Sequence, residues 1–177
     1  MSSAPRIDDN DFVLFGLPEQ QAQDERLLDE RRLALQASVH PDRFAAEGAA
    51  AQRLAMQWAV RVNQAWQRLK DPLRRGAYLC ELRGVAIDAE RNTAMPAPFL
   101  MQQMRWREEL EEAATLATVE QLDAQIAAEE RSALERLGQW LDARSDTAAA
   151  AAEVRALMFV ARFRDDIARR IEALHAH

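Results

Sequence analysis

The chain has 177 residues, 49% of them hydrophobic, and carries 29 acids against 23 bases for a formal charge of −6. That length and apolar content allow one or two small cores, and without a basic stripe interleaved with aromatics the acidic balance argues against a nucleic-acid partner. No apolar run approaches membrane-spanning length and Ser2 to Asp11 is polar, so neither a membrane partner nor a signal peptide is expected, and the chain reads as soluble and cytoplasmic.

Five glycines and six prolines among abundant Ala, Leu, Glu, Gln and Arg favour helix nearly everywhere. No segment alternates like a strand, so the fold class is all-α. Phe12 to Pro18 is a dense apolar plug, too short for an independent helix and stopped by Gly16 and Pro18. It should pack against a helical hairpin. The first arm starts at the N-cap Asp24 and runs to about Val39, with Leu28, Leu35 and Val39 at helical spacing and Arg31 and Arg32 on its solvent side or edge. Pro41 closes it, because its ring disfavours a helical backbone at the preceding residue. The second arm carries Leu54, Trp58, Val62, Trp66 and Leu69 and stops at Asp71-Pro72. His40 and Asp42 therefore flank a proline at the tip of the hairpin and face water.

A short helix from Pro72 to about Leu82 begins with proline, where a missing N–H costs little, and Gly84 ends it. Residues 85–97, punctuated by Asp88, Asn92 and Pro96, are a connector between an N-terminal domain, 1–84, and a C-terminal one, 98–177. Three helical patterns follow: Pro98 to about Leu116, Thr118 to about Ala143, and Thr147 to about Leu174. Thr118 with Gln121 reads as a capping box, and Ser145 or Asp146 caps the last helix. Short connections make neighbours antiparallel, which predicts a three-helix bundle.

In the first of these helices, Phe99, Gln103, Trp106, Leu110, Ala113, Ala114 and Ala117 share the bundle face at 100° per residue. Leu100, Met101, Met104, Glu108 and Glu112 lie nearly opposite. In the last helix Leu157, Val160, Ile167, Ile171 and Leu174 share a face, and Phe159 points away from it. Leu100, Met101, Met104 and Phe159 then form a candidate exposed patch with an acidic extension, and such patches mark binding sites. Packing of the patch against the first domain is the alternative.

Cys80 is the single cysteine. It sits in an apolar run and reads as a small buried residue, and with the terminal His175 and His177 it makes a poor ligand set. No metal or other cofactor is expected. His40 and Asp42 could suggest an enzyme, but nothing nearby completes a nucleophilic set, so catalysis is disfavoured.

Taken together, these segments resemble the HscB family, the J-domain co-chaperones of iron–sulfur cluster assembly. Phe12 to Pro18 is similar to the family's opening Phe-x-Leu-Phe-Gly-Leu-Pro, and His40-Pro41-Asp42 is the J-domain signature. Val62 to Trp66, Asp71 to Leu79, and Phe99 to Leu110 resemble its third, fourth and scaffold-contacting helices. The resemblance implies an N-terminal J domain, a hairpin with flanking short helices, followed by the bundle. It implies binding to an Hsp70 of the HscA type through His40, Pro41, Asp42, Arg43 and Arg31, with stimulation of its ATPase. It implies binding of an IscU-type iron–sulfur scaffold through Leu100, Met101, Met104, Glu108, Glu112 and Phe159, by a monomer with no catalysis of its own. A general J protein with another client is the nearest alternative. Two departures stand out: Gln36-Ala37-Ser38 lacks the basic residues usual before the signature, and Arg32 stands where an apolar or aromatic residue is common. With no cysteine-rich N-terminal module, the chain resembles the bacterial form.

Overall fold

Local signals set the element boundaries. In the computed structural model, residues 6–40, 42, 46–87 and 95–176 are described, and every regular element among them is helical. Helix α1, Asp11–Phe15, is capped by Asn10, whose side chain accepts from the Val13 N–H. Gly16 ends it with φ 62°, a left-handed turn that only glycine takes without strain, and Leu17 N–H closes back on the Phe12 carbonyl at 2.9 Å. Asp24 caps α2, Glu25–Ser38, by accepting from Arg26 and Leu27 N–H. Helix α3 is Ala49–Lys70 and α4 is Pro72–Leu82. Asp71 joins them: its carboxylate accepts from Leu73 and Arg74 N–H at 2.9 and 3.0 Å, while Pro72 gives up an N–H that the first turn does not use.

The chain divides into two compact units, Met1–Leu79 and Cys80–His177, so the division falls within α4. The core of the first unit gathers Phe12, Leu14, Phe15 and Leu17 with Leu28 of α2 and Val62, Ala65 and Leu69 of α3. The apolar plug thus packs on the hairpin as its composition predicts. Leu54 does not join this core and is 53% exposed; Ala55 takes the inward position. Leu54 lies about 80° from Val62 around the helix, enough to leave the buried stripe.

Asp11 anchors the N-terminal segment. It is fully buried, and its two oxygens lie 2.7 Å from Arg61 and 3.4 Å from Arg68. These contacts are ionic rather than well-aligned hydrogen bonds. Its backbone N–H donates to the Tyr78 hydroxyl at 3.1 Å, and Arg61 also donates to the Ile7 and Asp9 carbonyls. Breaking a buried pair leaves charge uncompensated at a cost of about 3–5 kcal/mol, but both guanidinia here reach water. Asp11→Asn is therefore expected to lower unfolding stability by about 2 kcal/mol, read as a shift in urea midpoint at constant slope. An unchanged midpoint would show that the ion pairs contribute nothing net.

In the second unit, α5 is Ala97–Glu112, α6 is Leu116–Gly138 and α7 is Thr147–His175. A π-helical turn, Gln139–Ala143, extends α6, and Asp146 caps α7 by accepting from Ala149 N–H. The expected cap at Thr118 is corrected. Thr115 is the N-cap, and it forms the reciprocal box with Thr118, which stands at the third helical position. Two threonines at that spacing satisfy each other's free backbone groups as Ser/Thr with Glu/Gln would. The same break ends α5 at Glu112, so Ala114 and Ala117 lose the helical register and are exposed, while Ala113 stays buried.

Trp106 of α5, Val119, Leu122 and Ile126 of α6, and Val160, Phe163 and Ile167 of α7 form one core cluster. Leu157 is buried on α7, and Ile171 and Leu174 pack against the cluster from the edge, as their spacing predicts. Two ionic clasps join α6 to α7: Arg136 to Glu129 and Glu153, and Arg164 to Asp123 and Glu130, all within 3.0 Å.

Cys80 is fully buried, and burial pushes its thiol up to about 11 from an ordinary 9.0. Only the thiolate attacks disulfide reagents, so the native protein should resist them at pH 8 while the unfolded chain reacts at once. The sign for stability follows: the folded state holds the proton more tightly, so any contribution from Cys80 is full below pH 9 and is lost towards pH 11. Rapid native-state titration of one thiol at pH 8 would contradict this.

Candidate functional sites

The first site is the tip of the α2–α3 hairpin. Helix α2 closes on one carbonyl: Ser38 Oγ and Val39 N–H both donate to Leu35 O, at 2.7 and 3.1 Å. The side chain of His40 is 58% exposed and that of Asp42 90%. Sequence alone left open whether they touch; the structure brings them together. Asp42 N–H donates to His40 Nδ1 at 3.3 Å, and Asp42 Oδ2 lies 3.5 Å from the same nitrogen. The two contacts make opposite demands, because the N–H needs the lone pair and the carboxylate needs the proton. A neutral ring that accepts at Nδ1 carries its N–H at Nε2, and the neighbouring Asp42 carboxylate is exposed. The tip then presents a donor and an acceptor side by side. Pro41 and Arg43 lie outside the described residues. Arg31 is exposed on α2, and Ser38, the nearest hydroxyl in sequence, is turned to Leu35.

Arg32 settles into an unanticipated place. Its guanidinium carbon lies 3.7 Å from the centre of the Trp66 ring, and Lys70 Nζ lies over the same ring at 4.7 Å. Trp66 Nε1 donates to Asp29 Oδ1 at 2.8 Å, and Asp29 Oδ2 pairs with Lys70 at 3.6 Å. The indole N–H, with Lys70 close by, holds the Asp29 carboxyl below the usual carboxylate range. The position is half-buried although its residue is charged, because a guanidinium stacks on an indole as an aromatic ring would.

The second site is on α5. Leu100 is 44% exposed, Met101 58% and Met104 57%, and Glu108 and Glu112 are exposed beyond them. Trp106 on the opposite face is buried. Glu109, Glu111 and Glu112 occupy the last turn of α5, which holds no basic residue. Carboxylates at the negative end of a helix dipole cost stability, and Arg170 offsets part of that cost by donating to the carbonyl of the C-cap residue Ala113 at 3.0 Å. Arg105 is drawn along the helix, donating to Gln102 at 2.9 Å.

Phe159 departs from its expected place. It does not point away from the bundle; it is half-buried against the core cluster. Its ring meets Phe99 edge-on at 5.9 Å and stacks on Phe163 at 6.1 Å, with Arg107 over it at 5.6 Å. The single-helix wheel missed this because α5 brings Phe99 to that side of α7. Two aromatic positions four apart on one helix, Phe159 and Phe163, were the available signal.

Among the described residues no three His, Cys, Asp or Glu side chains converge as a metal site, and no helix is long and apolar enough to cross a membrane.

A co-chaperone protein HscB homolog of Burkholderia multivorans is 53% identical over 171 residues, covering 95% of this chain and 97% of that protein. The chain belongs to the HscB co-chaperone family. The family model described as the HSCB C-terminal oligomerisation domain matches residues 95–168, which span α5, α6 and most of α7. Chaperone HscB from Vibrio cholerae superposes with a TM-score of 0.79 at 39% identity, over 94% of this chain and 99% of that one. Human co-chaperone protein HscB, at 24% identity, shares the fold with a TM-score of 0.88 over 95% of this chain and 85% of its own. The all-α architecture of a J domain followed by a helical bundle is therefore that of HscB proteins.

Proposed function

We propose that this HscB-family chain works without catalysis of its own, in the cytoplasm, as an adaptor between two proteins. One is an Hsp70 of the HscA type, engaged at the His40–Asp42 tip with Pro41, Arg43 and Arg31. The other is an IscU-type scaffold, whose iron–sulfur cluster is its cargo. It would be bound at Leu100, Met101 and Met104, with the half-buried Phe159 at the edge of the patch and Glu108 and Glu112 as its acidic rim. The observation that carries the reading is the pair of exposed features on separate units: a polar tip that brings His40 and Asp42 together, and an apolar patch that the bundle core does not use.

The physical task is linkage. A co-chaperone that binds the hydrolysis-competent state of the Hsp70 better than the other state shifts that chaperone towards it. Methionines suit the scaffold face because they repack against an irregular surface. The test is the steady-state ATPase rate of an HscA-type Hsp70 with this protein and an IscU-type scaffold, added singly and together. Greater stimulation by the two than by either alone is the expected result. An unresponsive Hsp70, or a scaffold that shows no binding by calorimetry, would overturn the reading. A general J protein would stimulate the Hsp70 and ignore the scaffold. An enzyme built on His40 and Asp42 would turn over a small molecule with neither partner.

The description of the matching family model favours a second reading of the patch, as a contact between copies of the chain. Light scattering distinguishes the two. A monomer at micromolar concentration supports the scaffold reading, and a dimer dissociated by Met101→Ala and Met104→Ala supports self-association.

A further inference from the structure

We propose that α5 is a flap: it undocks from the α6–α7 pair as a unit while that pair stays folded, and a scaffold seated across the α5–α7 seam holds it closed. Closure by the scaffold rests on the reading above; the undocking does not.

Burial separates α5 from its neighbours. Of its sixteen residues only Trp106 is fully buried, with Phe99 and Leu110 packed partly against the core. Helix α6 buries five residues along its length and α7 seven. Few buried apolar contacts mark the segments that open at low free energy. The ends of α5 add little. Pro96 stands at its N-cap without a side-chain cap bond, no acid follows in the first turn, and the last turn holds no base. Thr115 and Asp146, by contrast, cap α6 and α7 with their side chains. Arg170 of α7 ties the end of α5 at the Ala113 carbonyl.

The anchor itself favours release at one edge. Trp106 is 2% exposed, and its Nε1 has no hydrogen-bond partner among the described residues. A buried indole N–H ordinarily finds an acceptor, and one without carries a desolvation cost that ends when the ring reaches water.

The seam gives the partner its leverage. Phe159 of α7 meets Phe99 of α5 at 5.9 Å and lies under Arg107 of α5 at 5.6 Å. The candidate scaffold face therefore has Leu100, Met101 and Met104 on one side of the seam and Phe159 on the other. Undocking parts them. A partner that needs both sides binds only the closed form and shifts the flap towards it.

The experiment is hydrogen exchange of the full-length protein, followed helix by helix. In the protein alone, amides of α5 are expected to be at least about tenfold less protected than those inside α6 and α7. Low urea should speed exchange in α6 and α7 and leave α5 unchanged, because a local opening exposes little surface. Ala97→Asp adds an acid to the exposed first turn and should slow α5 exchange about two- to fivefold. Trp106→Ala should bring α5 to the rate of a free chain. In that variant α6 and α7 should lose no more protection than α5 had in the wild type, since an open flap has nothing further to give up. Exchange of α5 in step with α6 and α7, with the same urea response, overturns the flap, and so does a loss beyond that limit in Trp106→Ala. Saturating IscU-type scaffold should slow α5 exchange about tenfold or more. A scaffold that binds without slowing α5 overturns the closure alone. A scaffold that does not bind overturns the scaffold reading and the closure with it, while the undocking is decided by the protein alone.

Discussion

His40→Gln is expected to abolish stimulation of the Hsp70 ATPase while the protein stays folded, and Asp42→Asn to do the same. The fold is indifferent to these side chains because they face solvent: His40 is 58% and Asp42 90% exposed. Exposed substitutions that touch no cap or core usually fall within about 0.5 kcal/mol. Function is not indifferent. The imidazole accepts at Nδ1 from Asp42 N–H at 3.3 Å, which leaves Nε2 as its free polar atom. Glutamine can donate a hydrogen bond, but it lacks a ring anchored at one edge and presenting the other. Asparagine keeps the size of Asp42 and removes the charged acceptor. Stimulation depends on the difference in affinity between two Hsp70 states, so losing a contact made only in the favoured state removes the effect even where residual binding persists. The rate should be read with scaffold present, at saturating co-chaperone, beside a melting curve. Wild-type stimulation by either variant would remove the tip from the mechanism.

What could be read from the sequence was what short-range chemistry decides. Pro72, Gly84, Asp24 and Asp146 each act within one turn, and all four mark the boundaries their chemistry demands. The Leu100–Met104 stripe was legible because one helix's own periodicity separates it from Trp106. The errors lie where a second element decides. Leu54 matched the helical period loosely, and packing in the hairpin chose Ala55 instead. The cap moved to Thr115 because Thr118 can act as the partner in a box as well as its start. Arg32 looked like a solvent residue or an anomaly; its role needs Trp66, which is 34 positions away and arrives only when the arms pair. Phe159 was read on one helix when its neighbours, Phe99 and Phe163, belong to two.

That last difference separates Phe159 from the rest of the α5 face in its expected behaviour. Leu100→Ala with Met104→Ala should weaken scaffold binding and leave the melting temperature unchanged. Both side chains are about half exposed or more, so truncation opens no cavity in the Trp106 cluster. An anchor residue at an interface costs about 1–2 kcal/mol or more when truncated, so the pair should cost about 2–4 kcal/mol and raise Kd by about one and a half to three orders of magnitude. Phe159→Ala should behave differently. It removes an edge-on contact with Phe99, a stack on Phe163 and the ring under Arg107, all on the rim of the core. Full burial would make this loss about 3–5 kcal/mol; at half burial about 2 kcal/mol of stability is expected. Any loss of scaffold affinity should then follow from the freed Phe99 and Arg107 as much as from Phe159 itself. Glu108→Gln with Glu112→Gln should slow association and reduce its salt sensitivity more than it speeds dissociation, because rim charges steer encounter. Calorimetric titration of scaffold into the first two variants, beside scanning calorimetry of each alone, reads affinity and stability, and stopped-flow association at two salt concentrations reads the third. A fall in melting temperature for Leu100→Ala with Met104→Ala, at unchanged Kd, would make the patch part of the protein's own packing rather than a binding surface.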